Sequence, residues 1–322
     1  MEDHAMNDRF VKERWLAGSL LLGGVLLFLA GTLDAAVPKP ASAPDPTDGK
    51  VRVICFGAHP DDNEFRAGGV AAMWAAQGHH VKFVSCTNGD IGHWGMAGGP
   101  LAQRRTAEVE RCAEIFGIET EVLDIHDGEI MPTLENRKTL VRLIREWRAD
   151  IVMCHRPNDY HPDHRYVALL VQDAGYMVTV PFFCPDIPYL KHNPVFLYYQ
   201  DRFQKPNPFA ADIVVGIDSV TDKKLAAALA LASQTLEGGC GGSERLYPED
   251  PAKRKAREQE VRQRFDRRFA STADRFREQL TDWYGRERAK NIKYAEAFEI
   301  CEYGRRPSKQ EIRKLFPFFP SP

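Results

Sequence analysis

Ala58-His59-Pro60-Asp61-Asp62-Asn63-Glu64 places one histidine and three carboxylates within six residues, directly after an apolar run, Val51 to Gly57, that reads as a buried strand. Charged groups gathered where a strand ends and a helix begins are costly to bury without a cation to pair them, so the pattern points to a metal site. A catalytic zinc site takes three protein ligands and keeps a position open. The second source of ligands is His155-Arg156-Pro157-Asn158-Asp159-Tyr160-His161-Pro162-Asp163-His164, which follows another buried-strand pattern, Asp150 to Cys154. Histidines with a carboxylate suit a borderline-soft divalent ion, Zn2+ best, with iron, cobalt or manganese as alternatives. Such an ion lowers the pKa of bound water toward ~7 and polarises an amide carbonyl.

Positioning these clusters requires a sheet. From Val51 the chain alternates short apolar runs with amphipathic helices, the signature of parallel βαβ units. Strands are expected at Val51 to Gly57, His80 to Cys86, Glu119 to Leu123, Asp150 to Cys154, Pro194 to Tyr199 and, as the last, Ile213 to Ile217. Helices are expected at about Ala67 to Gln77, Leu101 to Phe116 with Gly117 as C-cap, Leu134 to Trp147, Pro162 to about Met177, and Asp218 to about Gln234. This is a doubly wound, mostly parallel α/β sheet with helices on both faces (Rossmann-like). In the order 3-2-1-4-5, strands one and four are neighbours at the switch point, and both His/Asp clusters leave their carboxyl ends.

Residues 1–46 read as a signal peptide or membrane anchor with a linker, 47–236 as the catalytic domain, and 237–322 as a charged helical extension ending in a Pro/Phe-rich tail. Trp15 to Ala30 is nearly all apolar, follows Arg9, Lys12 and Arg14, and precedes a proline-rich stretch. Extended to Leu33 it approaches the ~18 residues of a spanning helix, so the protein is expected to be exported, either cleaved or retained at the membrane. The 322 residues are 43% hydrophobic and 27% charged, ordinary globular material, and the net charge of -2 argues against a nucleic-acid partner held by bulk positive charge. The acids and bases of Pro251 to Arg288 are interleaved, which reads as a solvated helix. Seven scattered cysteines without a CxxC pair read mostly as small buried hydrophobes. Oligomeric state is open.

AHPDDNE after the first strand, followed about a hundred residues later by HPDH, resembles the PIG-L/LmbE-like de-N-acetylase family. The similarity runs from about Val51 to Gln234, through the Thr87-Asn88-Gly89 loop, Arg105-x-x-Glu108 and the Asp127-Gly128 turn. It implies a zinc-dependent enzyme that removes an acetyl group from an N-acetylglucosamine-type amide, the sugar being free or lipid-linked. Carried over to this sequence, it implies His59, Asp62 and His164 as metal ligands and Asp61 as general base. It implies His161 as the group that steadies the oxyanion and protonates the leaving amine, Asp163 as a partner that orients a histidine, and Arg105 and Asp127 as substrate contacts. Asn63 departs from members with DDE and leaves Glu64 without an assigned role. A non-sugar amide as substrate, or a non-catalytic sugar-binding protein on the same fold, are the alternatives. Asp61 and His161 speak against the last, because binding alone requires no acid and base beside a metal.

Overall fold

The computed structural model describes residues 48–320. Seven strands form one sheet in the order β3-β2-β1-β4-β5-β7-β6. Five are parallel: β1 (Arg52–Gly57), β2 (His80–Ser85), β3 (Glu119–Val122), β4 (Ile151–Cys154) and β5 (Val195–Tyr199). Every residue of β1 and β4 is buried, as expected of central strands covered on both faces. Alternate side chains of β1 feed two cores: Val53 and Cys55 enter one, Ile54 and Phe56 the other.

The connecting helices are α1 (Asp62–Ala76), α2 (Gly99–Phe116), α3 (Leu134–Trp147) and α4 (Pro162–Met177). α1 begins five residues earlier than the apolar periodicity predicts, so Asp62 and Glu64 lie in its first turn, where carboxylates complement the helix dipole. Asn63 closes that turn onto the sheet: its Nδ2 donates to the Val84 carbonyl at 3.0 Å, and Tyr199 donates to its Oδ1 at 2.8 Å. Gly68 lets α1 and α2 touch, since a Cβ there would lie 2.6 Å from the Phe116 ring. The β1 chain leaves toward β2 and the β4 chain toward β5, so the switch point lies between β1 and β4. Their register pairs Phe56 with Cys154, which levels the ends from which the two clusters emerge.

The C-terminal third departs from expectation. Asp218 caps no long helix; its carboxylate accepts from the Lys293 and Tyr294 amides, and the chain continues through α5 (Thr221–Ala230) and α6 (Ala232–Thr235), separated at Leu231. The charged segment forms α7 (Pro251–Arg275), α8 (Arg277–Tyr284) and α9 (Arg286–Ala289). β6 (Ile213–Gly216) is not the last strand. β7 (Ala295–Ile300) runs antiparallel between β5 and β6, so part of the expected appendage completes the sheet. Its glutamates hid it: Glu296 is buried, accepts from the Gly69 and Val70 amides of α1 at 2.8 Å each, and pairs with Lys224. α7 is solvated on one side only, with Val261, Phe265 and Phe269 buried on the other. After α10 (Lys309–Leu315), Phe316 and Phe319 pack on Trp74 and Trp283. Six cysteines are buried and free, and Cys240 is exposed. The apolar stretch 15–30 lies outside the described residues, and among those described no helix is long and apolar enough to cross a membrane.

Candidate metal centre

The loop after β1 and the start of α4 meet at the switch point. His59 Nδ1 lies 3.2 Å from His164 Nε2 and 3.4 Å from Asp62 Oδ2, and His164 Nε2 lies 3.4 Å from the same carboxylate oxygen. Each histidine is turned by an acid at its other nitrogen. His164 Nδ1 hydrogen-bonds Asp159 Oδ1 at 3.0 Å, and His59 Nε2 sits 3.0 Å from Asp127 Oδ1 and 3.3 Å from Asp163 Oδ2. Acids in those places hold the ring protons on the outer nitrogens. Two imidazole lone pairs and a carboxylate oxygen are then left facing one another, which only a cation or proton between them relieves. A tetrahedral ion with ligands at ~2.0–2.1 Å has ligand-to-ligand edges of ~3.4 Å, so the spacing fits a metal. Overlapping sets, His59–His161–His164, Asp62–His155–His164 and His59–Asp127–Asp163, also bring ligand atoms within 4.8 Å of one another. In those sets His155 Nε2 already accepts from the Ala58 amide, His161 Nδ1 accepts from the Asp163 amide, and Asp127 and Asp163 face the outer nitrogen of His59.

The electrostatics favour positive charge here. Burial works against protonation of His59, yet Asp127, Asp163 and Asp62 raise its pKa well above the ordinary value. Asp62 is buried, which would raise its pKa, but His164 beside it holds it well below the carboxylate range. His155 stacks on His164 with centroids 4.1 Å apart, and burial pushes it down to about 4, so it stays neutral. Asp159 remains ionised because the His164 hydrogen bond outweighs its burial.

Asp61 N-caps α1 without a side-chain capping bond, leaving its carboxylate to the crevice. Burial raises its pKa, opposed by Arg105, whose Nη2 lies 3.2 Å from Asp61 Oδ2. Arg105 is buried and donates to the carbonyls of Gly89 (3.1 Å) and Pro60 (3.1 Å), so it clamps the two loops that carry Asp61 and Gly89. Gly89 has φ +67°, and a Cβ there would lie 2.4 Å from Arg105 Nη1. His161 is half-buried at the mouth of α4, its ring edge-on to His59 at 4.5 Å. Because its Nδ1 accepts, a neutral ring carries its proton on Nε2.

The crevice has a volume of about 270 Å³ and collects His59, Asp61, Asp62, His161 and His164, with Arg105 and Asp127 in its wall. Asp163 is fully buried beneath it, accepting from the Gly128 amide at 2.7 Å. Glu64 turns into the core, and burial pushes it up to about 8. Tyr160 lines the crevice, while His93 lies outside it and contacts Glu237 at 3.0 Å. Phe65, Arg66, Gln234, Cys240 and Arg268 complete the lining and were not expected. Arg66 stands one turn after Asp62 on α1, a spacing that signals a shared face. Arg268 had no local signal, because folding of α7 alone brings it there.

Residues 54–175 match the family described as PIG-L: GlcNAc-PI de-N-acetylase. Over 145 residues the chain is 34% identical to the diacetylchitobiose deacetylase of Thermococcus kodakarensis, covering 43% of this chain and 54% of that protein, so it spans about half of that relative's length. It is 29% identical over 192 residues to the 4-oxalmesaconate hydratase of Pseudomonas putida, covering 56% of this chain and 73% of the other. The fold is similar to that of the N,N'-diacetylchitobiose deacetylase from Pyrococcus horikoshii, with TM-score 0.60, 21% identity, and 78% and 84% of the two chains covered. The matched stretch runs from β1 into α4 and contains both clusters that build this site.

Proposed function

We propose that this chain is a metal-dependent hydrolase that removes an acetyl or similar acyl group from an amino-sugar amide, with zinc as the ion. The observation that carries the reading is the triangle of His59, Asp62 and His164 ligand atoms at 3.2–3.4 Å with a spare carboxylate, Asp61, facing the same crevice. The named deacetylases among its relatives support the acetyl-amide substrate. When bound, the ion supplies Lewis acidity and a lowered pKa for water. Asp61, held through Oδ2 by Arg105, takes the proton of the water that attacks the amide carbon, help of a kind worth ~10²–10⁴ in rate. His161 donates through Nε2–H to the oxyanion and helps the departing nitrogen take up the proton that Asp61 removed from the water. Asp159, Asp127 and Asp163 keep the two ligand histidines in the right tautomers. The apolar stretch 15–30 supports action outside the cytoplasm or at the membrane, on a free or lipid-linked sugar.

The test is acetate release from N,N'-diacetylchitobiose and N-acetylglucosamine by the metal-loaded wild type and by Asp61→Asn. The variant is expected to keep its metal and lose at least ~10²-fold in kcat. Equal turnover would refute Asp61 as base. Water addition to an unsaturated acid without acetate release would favour instead the chemistry named for the hydratase relative.

A further inference from the structure

A second cavity of about 200 Å³ opens beside the metal crevice, between α1, α7, β7 and the segment after β5. Phe65, Arg66 and Arg268 line both, so the two are continuous. The cavity is lined by four arginines and one lysine against two carboxylates. Its two carboxylates are committed elsewhere: Glu296 pairs with Lys224, and Asp201 accepts from Arg156 Nη1 at 3.0 and 3.3 Å. Arg66, Arg202, Arg268 and Arg275 have no carboxylate partner among the described residues. Arg66 donates to the Gln200 carbonyl and Arg275 to the Asp201 carbonyl, while the guanidinium groups of Arg202 and Arg268 donate no hydrogen bond. Arg268 rests on the faces of Phe65 and Phe265, each 5.8 Å away.

On the same helices outside the cavity, Arg257 pairs with Glu260 at 2.9 Å and Arg277 with Asp274 at 3.1 Å. What sets the cavity apart is that four arginines line one concave site whose two carboxylates are already engaged. Their mutual repulsion is real: burial, then Arg66, Arg202 and Arg264, push Arg268 down to about 10. Arg66 and Arg268 are half-buried and Arg202 and Arg275 exposed; gathered without a free acid they repel one another, and an anion with several oxygens relieves that through forked, charge-assisted hydrogen bonds.

We propose that this cavity is an anion subsite, in which Arg66, Arg202 and Arg268 take a phosphoryl group carried by the same sugar whose amide lies at the metal centre. The inference rests on the deacetylase reading and narrows its substrate to phosphorylated amino sugars. Phe65, stacked on Phe265, lines both the crevice and the cavity.

Acetate release is measured for metal-loaded wild type, the Arg202→Gln/Arg268→Gln double variant and Arg268→Lys, on N-acetylglucosamine, its 1-phosphate, and N-acetylmuramic acid. The wild type is expected to prefer the phosphate over the neutral sugar by at least ~10-fold in kcat/KM, with that ratio collapsing in the double variant and partly retained in Arg268→Lys. No preference in the wild type, an equal loss on both sugars, or an equal preference for the carboxylate-bearing sugar would overturn the phosphoryl assignment while leaving the deacetylase reading intact. Should no sugar release acetate, the deacetylase reading fails, and the subsite is judged by calorimetric titration of pyrophosphate. A ~10-fold weaker Kd in the double variant supports it, and an unchanged Kd overturns it. Circular dichroism and the single variant Arg202→Gln, at an exposed loop position, separate lost binding from lost folding.

Discussion

Replacing Asp159 by asparagine tests how the ligand histidines are aimed without touching a ligand. Asp159 Oδ1 receives His164 Nδ1 at 3.0 Å and the His161 amide at 3.1 Å. Asparagine keeps an oxygen that accepts both bonds and removes only the charge. Bonds to charged groups contribute ~1.5–3 kcal/mol and neutral ones ~0.5–1.5, a difference of about 1–1.5 kcal/mol for the imidazole bond. At about 1.4 kcal/mol per factor of ten, metal affinity is expected to fall ~10-fold in Asp159→Asn. Leucine removes both bonds and frees the His164 ring to adopt the other tautomer, so the loss should approach the ~100-fold upper end for such partners. Competition with a chromophoric chelator at fixed pH reads both constants, and a thermal melt of each apo protein reports whether the fold survives. The reasoning is refuted if both folded variants bind metal as tightly as wild type, because His164 would then be held by its packing on His155 alone.

Two further substitutions probe the scaffold. Gly89→Ala forces a side chain into φ +67° and against Arg105 Nη1, and is expected to destabilise the fold by ~1–3 kcal/mol and to lower kcat by displacing the clamp on Asp61. Urea unfolding and acetate release check it, and a variant equal to wild type in both would show that Arg105 does not depend on that close approach. Phe316→Ala empties a fully buried site against Trp74 and Phe298 and should cost ~3–5 kcal/mol by the same unfolding measurement. A loss below ~1 kcal/mol would mean the tail packs too loosely to matter.

Local pattern carried the parallel half of this fold because its information is local. Buried strands read as unbroken apolar runs, as in Val53 to Phe56, and the helices between them carry caps such as Gly117 and Pro162. The meeting of the two His/Asp clusters was legible for the same reason: each is contiguous in sequence, and a standard strand order brings the two together. β7 was not legible, because Glu296 and Glu299 break its apolar pattern, and the buried charge of Glu296 makes sense only with Lys224 from α5 beside it. The resemblance implies Asp127 as a substrate contact; it lines the crevice, and its Oδ1 also lies 3.0 Å from His59 Nε2, a distance that no spacing along the chain encodes. Arg105, implied by the resemblance as a substrate contact, lines the crevice and is also buried across two loops, a bridging role that its place on α2 does not reveal. Arg268 was hidden in an interleaved charge run, since only the docking of α7 decides which arginines lose their acids.

The most direct measurement of the central claim is metal content, by elemental analysis after dialysis against a limiting divalent buffer, of wild type beside His164→Ala and His59→Ala. About one ion per chain in wild type and little in either variant, all folded, is the expected result, with zinc retained over iron, cobalt and manganese. Equal metal in all three, or none in a folded and active wild type, would contradict a centre built on His59, Asp62 and His164.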